Sequence, residues 1–87
     1  MIKTGEIYSN PRGDRYLHIG PKVSKYPNSY HYVINDKPSY TFKNLDNLPA
    51  ATPHALQSFF THNGYNLYRG DRRKHKVEGN LFNIDEL

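Results

Sequence analysis

The sequence predicts a small α+β domain, an antiparallel sheet built from β-hairpins with one helix packed on a face. Short runs rich in aromatic and β-branched residues alternate with Gly, Pro and Asn turn signals over the first half of the chain, which favours strands joined by tight turns. One later segment, near residues 53–62, has apolar residues at helical spacing, and two further strand-like runs follow it. The predicted order is therefore β-β-β-β-α-β-β.

The first hairpin is predicted from residues 3–10 and 15–19. The tip between them contains Gly13 followed by Asp14, which suits a type II′ turn because glycine takes the required positive φ without strain. Gly20-Pro21 then ends the second strand, since proline cannot donate a hydrogen bond to a sheet ladder. The residues from Lys22 to Ser29 are expected to form a loop.

The second hairpin is predicted from residues 30–34, the most strand-like run in the chain, and residues 40–42. Turn-forming residues separate the two runs at positions 35–38. If their aromatic faces coincide, cross-strand pairs stabilise this hairpin by a few tenths to ~1 kcal/mol each. Residues 44–51 are expected to be a loop or a single helical turn.

Residues 53–62 carry the strongest helix signals. Thr52 is a good N-cap, and Pro53 suits the first helical position, where its missing N–H costs nothing. Gly64 supplies the stop, because glycine takes the left-handed conformation that ends many helices. The apolar stripe consists of Ala55, Leu56, Phe59 and Phe60. We expect this stripe to pack on the sheet.

After the helix, residues 65–68 are predicted to be a strand that leads into a second tip at residues 69–72. Residues 75–78 are expected to return from that tip as the paired strand. The single domain is assigned to residues 1–79. Residues 80–87 are interpreted as an acidic-ended tail or edge segment.

Composition limits how this chain is stabilised. Among 87 residues there are 7 Leu, 5 Ile, 3 Val and 4 Phe but 8 Tyr and no Cys. Disulfides, thiol nucleophiles and Cys-containing zinc sites are therefore excluded, and tyrosine faces must supply much of the core. Marginal stability, with a protein partner or a second copy adding to it, is expected for so small a domain.

Localisation is predicted from the absence of export and membrane signals. The first ten residues have no apolar stretch behind a basic start, which predicts no secretory signal. Apolar runs fall far short of the roughly 20 residues that cross a bilayer, so no membrane association is expected. The expected location is the cytoplasm.

Charge placement is the most informative functional signal. Residues 69–76 hold five basic side chains and one acidic, for a charge of +4, and residues 77–87 hold three acidic side chains, for −3. A focused basic segment on a predicted hairpin tip favours contacts to phosphates, and the sequence pI of about 9.4 agrees. The alternative interpretation is a solvated loop that keeps a weakly hydrophobic protein in solution.

The leading hypothesis is a small non-enzymatic protein that binds nucleic acid, with RNA or single strands preferred. Tyr16 and His18 are expected to point outward, because Leu17 and Ile19 alternate with them and should face the core. Exposed aromatics stack unpaired bases, which favours single strands over a duplex. The predicted binding residues are Arg12, Arg15, Tyr16, His18, Lys22, Lys25, Arg69, Arg72, Arg73, Lys74, His75 and Lys76. The alternative for the aromatics is a place in the core or in hairpin pairs.

Two other classes of function stay open. One is a protein-binding inhibitor or adaptor of the compact, cysteine-free kind that phages use against host or defence enzymes, including targets that handle nucleic acid. The other is a metal-free ribonuclease that uses two of the five histidines. Their spacing selects no pair and includes no i, i+4 metal site, so no catalytic residue, metal or cofactor is predicted. The tripeptide Arg-Gly-Asp, at 12–14 and 69–71, is interpreted as turn chemistry.

Overall fold

The computed structural model describes residues 2–70 together with the backbone of residues 76 and 77. Its elements are β1 (Ile7–Ser9), β2 (Tyr16–Lys22), β3 (Tyr30–Asn35), β4 (Thr41–Phe42), a 3₁₀ turn (Leu45–Asn47), β5 (Ala50–Ala51), α1 (Pro53–Asn63), β6 (Asn66–Leu67) and β7 (Lys76–Val77). Five strands form an antiparallel sheet in the order β5-β3-β2-β1-β6, and β4 and β7 form a parallel pair. The predicted α+β class is confirmed.

The first hairpin is confirmed, but its turn is different from the predicted one. Strands β1 and β2 pair in antiparallel register, and the N–H of Gly13 donates to the carbonyl of Asn10 at 3.0 Å, so the tight turn spans residues 10–13. Pro11 occupies the second position of this turn, where its fixed φ is already suitable. The Asn10 side chain then accepts hydrogen bonds from the amides of Asp14 and Arg15, both at 3.0 Å. Gly13 does have the positive φ that the sequence predicts, 73°.

The predicted second hairpin, between residues 30–34 and 40–42, is wrong. Strand β3 lies between β2 and β5, and β4 pairs with β7 instead. The chain leaves β3 at a turn fixed by Asn35, whose side-chain oxygen accepts from the amide of Lys37 at 3.0 Å. This turn carries the chain onto one face of the sheet, where Phe42 is fully buried against Gly20. Covering that face removes more apolar area from water than a place at the sheet edge would.

Two further pairings differ from expectation. Strand β6 pairs antiparallel with β1, with Tyr8 opposite Leu67, and not with residues 75–78. Strand β7 lies in that predicted return segment but pairs with β4. The predicted loop or helical turn at 44–51 contains both a 3₁₀ turn and the short edge strand β5. Strands β6 and β7 both pair with strands that are far away in the chain, and local residue patterns do not specify such partners.

The sheet is covered on both faces over its central strand. On the face toward α1, which we call the helix face, the buried cluster is Ile2, Leu17, Ile19, Leu56 and Phe60. Tyr8 adds to it, with its ring stacked on Phe60 at a centroid distance of 4.1 Å. The opposite face, here the β4 face, buries Ile7, His18 and Phe42. Residues 17–21 of β2 are therefore buried without a break.

The helix is confirmed with its predicted caps. The Thr52 hydroxyl accepts from the amide of Ala55 at 3.2 Å, and Gly64, at a φ of 73°, ends the helix with its N–H directed to the carbonyl of Phe60. Leu56 and Phe60 are its buried residues. Among the described residues, no helix is long and apolar enough to cross a membrane.

Candidate nucleic-acid interface

The predicted binding cations within residues 2–70 lie at opposite ends of β2. Arg12 and Arg15 belong to the β1–β2 tip, residues 10–15, which precedes β2. Lys22 ends β2, and Lys25 follows in the β2–β3 loop, residues 23–29. At about 3.3 Å per residue the two ends of β2 are about 20 Å apart. The structure therefore separates these cations into two groups.

The β1–β2 tip compensates part of its own charge. The Arg12 Nε lies 3.6 Å from an Asp14 carboxylate oxygen, and the Asn10 amide donates to the same carboxylate at 2.7 Å. The hydrogen bond from Asn10, helped by the nearby Arg12 and Arg15 charges, lowers the pKa of Asp14 below its usual value. The Arg-Gly-Asp at residues 12–14 thus serves turn formation, as the sequence predicts.

Tyr16 and His18 do not form the outward-facing pair that the sequence predicts. The Tyr16 ring packs edge-on against Tyr68, with centroids 5.3 Å apart, and its hydroxyl donates to the Gly13 carbonyl at 3.1 Å. His18 is fully buried, so its predicted exposure is wrong. Its side chain lies on the β4 face, and the chain segment that follows Asn35 covers it there.

The His18 ring is hydrogen-bonded to the turn that follows β3. Its Nε2 lies 2.9 Å from the Asn35 side-chain oxygen and 3.0 Å from the Lys37 carbonyl, so this nitrogen carries the proton and donates to both acceptors. Burial lowers the pKa of His18, although these two hydrogen bonds oppose that change. The neutral ring therefore holds the turn after β3 against the sheet, and it is not presented to a ligand.

The β2–β3 loop presents an aromatic side chain that the sequence prediction missed. Tyr26 is 65% exposed, the most exposed large apolar side chain in the described part of the chain. Its carbonyl accepts from the amide of Ser29 at 2.8 Å, which closes a turn around Pro27, and Val23 bonds to Ser29 at the same distance. Tyr26 thus occupies the first position of this turn, and its ring is in solvent. The signal in the sequence is its position between Lys25 and Pro27, inside a loop.

Cations surround this loop. Lys22 and Lys25 are exposed, and the Lys22 ammonium lies 5.9 Å from the centroid of the Tyr30 ring, within cation–π range. The Tyr30 hydroxyl donates to the Ile2 carbonyl at 3.5 Å, which places exposed Lys3 on the same side of the molecule. We call the exposed side chains of Lys3, Lys22, Lys25 and Tyr26 the basic end.

Glu6 is the acidic residue next to this surface, and its carboxylate is already used. It accepts from the amide of Lys3 at 2.8 Å and from the Tyr8 hydroxyl at 3.1 Å. Burial, together with the Glu6 charge and this hydrogen bond, raises the pKa of Tyr8 to about 12. The Glu6 carboxylate is therefore held by the Tyr8 hydroxyl and by the turn at residues 3–6.

The segment predicted to carry most of the binding enters the described structure only at its ends. The amide of Tyr68 donates to the Ile7 carbonyl at 2.7 Å, and exposed Arg69 follows as the chain leaves the end of β1 that faces away from the β1–β2 tip. The backbone of Lys76 pairs with Thr41. Arg72, Arg73, Lys74, His75 and the Lys76 side chain lie outside the described residues, so their predicted role stays a prediction.

An apolar groove lies on the helix face, between β3 and the first two turns of α1. Its volume is about 240 Å³, and we call it the edge groove; its lining residues are Leu17, Tyr32, Ile34, Ala51, Ala55, Leu56 and Phe59. Ile34 is 40% exposed at its rim. Residues 2–70 contain no cluster of three or more His, Cys, Asp or Glu suited to a metal ion.

Comparison with known proteins gives no family model, curated protein or solved structure that matches this chain. Its function must therefore be inferred from its own residues.

Proposed function

We propose that the chain is a small non-enzymatic protein that binds single-stranded nucleic acid, RNA or DNA, at the basic end. The observation that carries this proposal is the Tyr26 ring, 65% exposed on a closed loop, with exposed Lys22 and Lys25 beside it. Aromatic rings stack on unpaired bases without regard to sequence, and lysines supply the accompanying phosphate contacts. The described residues offer no exposed helix with basic side chains for the major groove of a duplex, which favours single strands.

Stacking and charge make separable contributions at this surface. A base stacked on an aromatic ring contributes about 1–3 kcal/mol, or roughly a 5- to 150-fold change in affinity. Each phosphate contact on a single strand contributes about −0.7 to the slope of log K against log salt. Removing Tyr26 should therefore change the affinity, and removing the lysines should also change the salt dependence.

The experiment is fluorescence anisotropy with labelled oligo(dT) and oligo(U) of about 20 nucleotides, at several KCl concentrations between about 50 and 200 mM. We expect Tyr26→Ala to weaken binding 5- to 150-fold. The double variant Lys22→Ala/Lys25→Ala should reduce the salt slope by about 1.4. Matched controls are Tyr26→Phe, which keeps the ring, and Lys37→Ala. The latter removes an exposed cation that follows the C-terminal end of β3, while the basic end lies next to the N-terminal end of that strand.

Three outcomes of this titration, and a fourth from a separate variant, would contradict the proposal. The three are no binding by the unaltered protein at low salt, equal weakening by Lys37→Ala, and tighter binding to a duplex of the same length. A separate variant with Arg72, Arg73 and Lys74 changed to Ala tests the segment that the sequence singled out. If it alone loses affinity and salt slope, that segment binds the nucleic acid and the basic end does not.

The second candidate is the protein-binding inhibitor or adaptor, favoured by the edge groove. An apolar groove with an exposed isoleucine at its rim fits a protein partner better than it fits a polyanion. Capture of a host protein by the immobilised chain, with and without nuclease, separates the two candidates. A partner that stays bound after nuclease treatment is held by protein contacts.

A further inference from the structure

Within the part of the chain that the structure describes, one edge of the five-stranded sheet is only partly occupied. Strand β3 has six residues, but β5 pairs with its first two, Tyr30 and His31, and the amide of Tyr32 then donates to the Pro49 carbonyl at 3.1 Å. Beyond Tyr32, no described residue pairs with β3 on this side. The open edge therefore covers the last three residues of β3.

The backbone of Ile34 faces this open edge. The amide of Tyr32 points toward β5, and backbone groups alternate in direction along a strand, so the N–H and C=O of Ile34 point the same way. The register agrees, because Ile34 lies opposite Leu17, whose own backbone groups are directed to β1. The edge thus offers one donor and one acceptor, spaced as in a sheet, at a position where the side chain is also exposed.

The edge groove adjoins these backbone groups. Tyr32 and Ile34 form its β3 wall, and Ala55 and Phe59 form its α1 wall. Its volume of about 240 Å³ exceeds the roughly 150 Å³ of an engineered apolar cavity that takes up benzene. One large aliphatic or aromatic side chain therefore fits in it.

We propose that the open edge of β3 and the edge groove form a binding site for an extended peptide of a partner protein. The peptide adds as a strand that continues the line of β5, bonds to the Ile34 backbone, and places one apolar side chain between β3 and α1. This is strand addition, in which main-chain hydrogen bonds give affinity and a pocket for alternate side chains gives specificity. The site is separate from the basic end and goes beyond the proposed nucleic-acid function; it rests on the second candidate, protein binding at the edge groove, and specifies the partner as an extended peptide.

A short peptide suits this site better than a second copy of the chain. The line of β5 along β3 is already an established strand interface, and the vacant part continues it for three residues. A stable interface between two folded proteins usually takes about 20–30 residues a side and about 800 Å² per partner. The seven groove residues and the short edge are far below that.

The test is selection from a random dodecapeptide library on the immobilised full chain, followed by titration of a selected synthetic peptide in the presence of Ala55→Arg. Ala55 is exposed on α1, so arginine is compatible with the helix, and its side chain reaches across the groove. The matched control is Gln57→Arg, which adds the same charge on the side of α1 away from the groove.

We expect selected peptides to share an apolar residue within an alternating pattern. Ala55→Arg should weaken the synthetic peptide at least tenfold and Gln57→Arg should leave it unchanged. Backbone amide NMR signals of Ile34 and Ala55 should shift on titration. A peptide that is N-methylated at its apolar residue should bind more weakly, because in antiparallel pairing the residue opposite Ile34 donates its own N–H to the edge.

Four results would overturn the proposal. They are enrichment of no peptide, equal binding to both arginine variants, concentration-dependent dimerisation that Ala55→Arg abolishes, and groove signals that shift with oligo(dT) as they do with peptide. The last would assign the groove to nucleic acid, and the third to a second copy. Loss of oligo(dT) binding at the basic end leaves this proposal standing, so the two proposals fail separately.

Discussion

Tyr8 shows at the scale of one residue how the core controls ionisation. Its ring stacks on Phe60 at 4.1 Å, while its hydroxyl reaches the carboxylate of Glu6 at 3.1 Å. Burial first, and the Glu6 charge second, disfavour the phenolate and raise the pKa of Tyr8 to about 12. In the unfolded chain the same group titrates near its ordinary value of about 10.

This difference predicts a loss of stability at alkaline pH. The raised pKa means that the contribution of Tyr8 is fully present below about pH 10 and is lost as the pH rises toward about 12. Tyr8→Phe keeps the stacked ring but cannot ionise. The free energy of unfolding, measured in urea at pH 8 and at about pH 11, should fall less in Tyr8→Phe than in the unaltered protein. An equal fall in the two proteins would show that Tyr8 has no part in it.

His18 shows why single residues resist prediction from a local pattern. Alternation with Leu17 and Ile19 correctly puts His18 on the other face of the sheet from them, but says nothing about what covers that face. The cover comes from the segment after Asn35. Tyr26 is the reverse case, since a proline turn leaves exposed a residue type that a chain poor in Leu and Val would be expected to bury.

At the scale of elements, what could be predicted is what short stretches of chain determine. The caps of α1 lie next to the helix they end, and the turn signals of the first hairpin lie between its strands, so both elements are predicted correctly. The partners of β4 and β6 are strands distant in sequence, and alternation within a strand does not name its partner. The two wrong pairings follow from that limit.

The contact between Gly20 and Phe42 is the clearest reason why β4 lies where it does. A Cβ added at Gly20 would stand 2.6 Å from Phe42 Cε1 and 3.0 Å from two further ring carbons. Glycine in β2 therefore makes room for the aromatic ring on the β4 face. The glycine that the sequence suggests as a strand end is in fact a packing site within the strand.

Gly20→Ala should therefore destabilise the fold. Overpacking of this kind costs about 1–3 kcal/mol, because the ring and the strand have to move apart. Phe42→Leu offers a smaller side chain, so in a double-mutant cycle the combined variant should be more stable than the sum of the single effects, by about 0.5–3 kcal/mol. Urea denaturation of the four proteins measures this coupling. Strict additivity would mean that Phe42 does not determine the cost at Gly20.

At the scale of the whole molecule, β2 joins the two faces into one structure. Its Leu17 and Ile19 belong to the cluster on the helix face, and its His18 and Gly20 carry the contacts of the β4 face. The β4 face adds the two-residue strands β4 and β7, a pair too short to be stable without the five-stranded sheet. The domain should therefore unfold as one unit, with a stability of roughly 4–13 kcal/mol for a chain of this length.

The variant Leu56→Ala tests whether the domain unfolds as one unit. Leu56 belongs to the cluster on the helix face, so if the two faces were independent, only the helix face would lose stability. Leu56 is 3% exposed in the cluster under α1, and such a truncation costs about 2–5 kcal/mol. That is a large share of the total, so the variant should unfold at a much lower urea concentration than the unaltered protein. Circular dichroism reports the helix and sheet, and the NMR signal of buried His18 reports the β4 face. The two should lose their folded signals at the same urea concentration. Gln57→Ala, exposed on the same helix, should change the free energy of unfolding by no more than about 0.5 kcal/mol. Survival of the His18 signal after the helix signal has gone would show that the β4 face folds by itself.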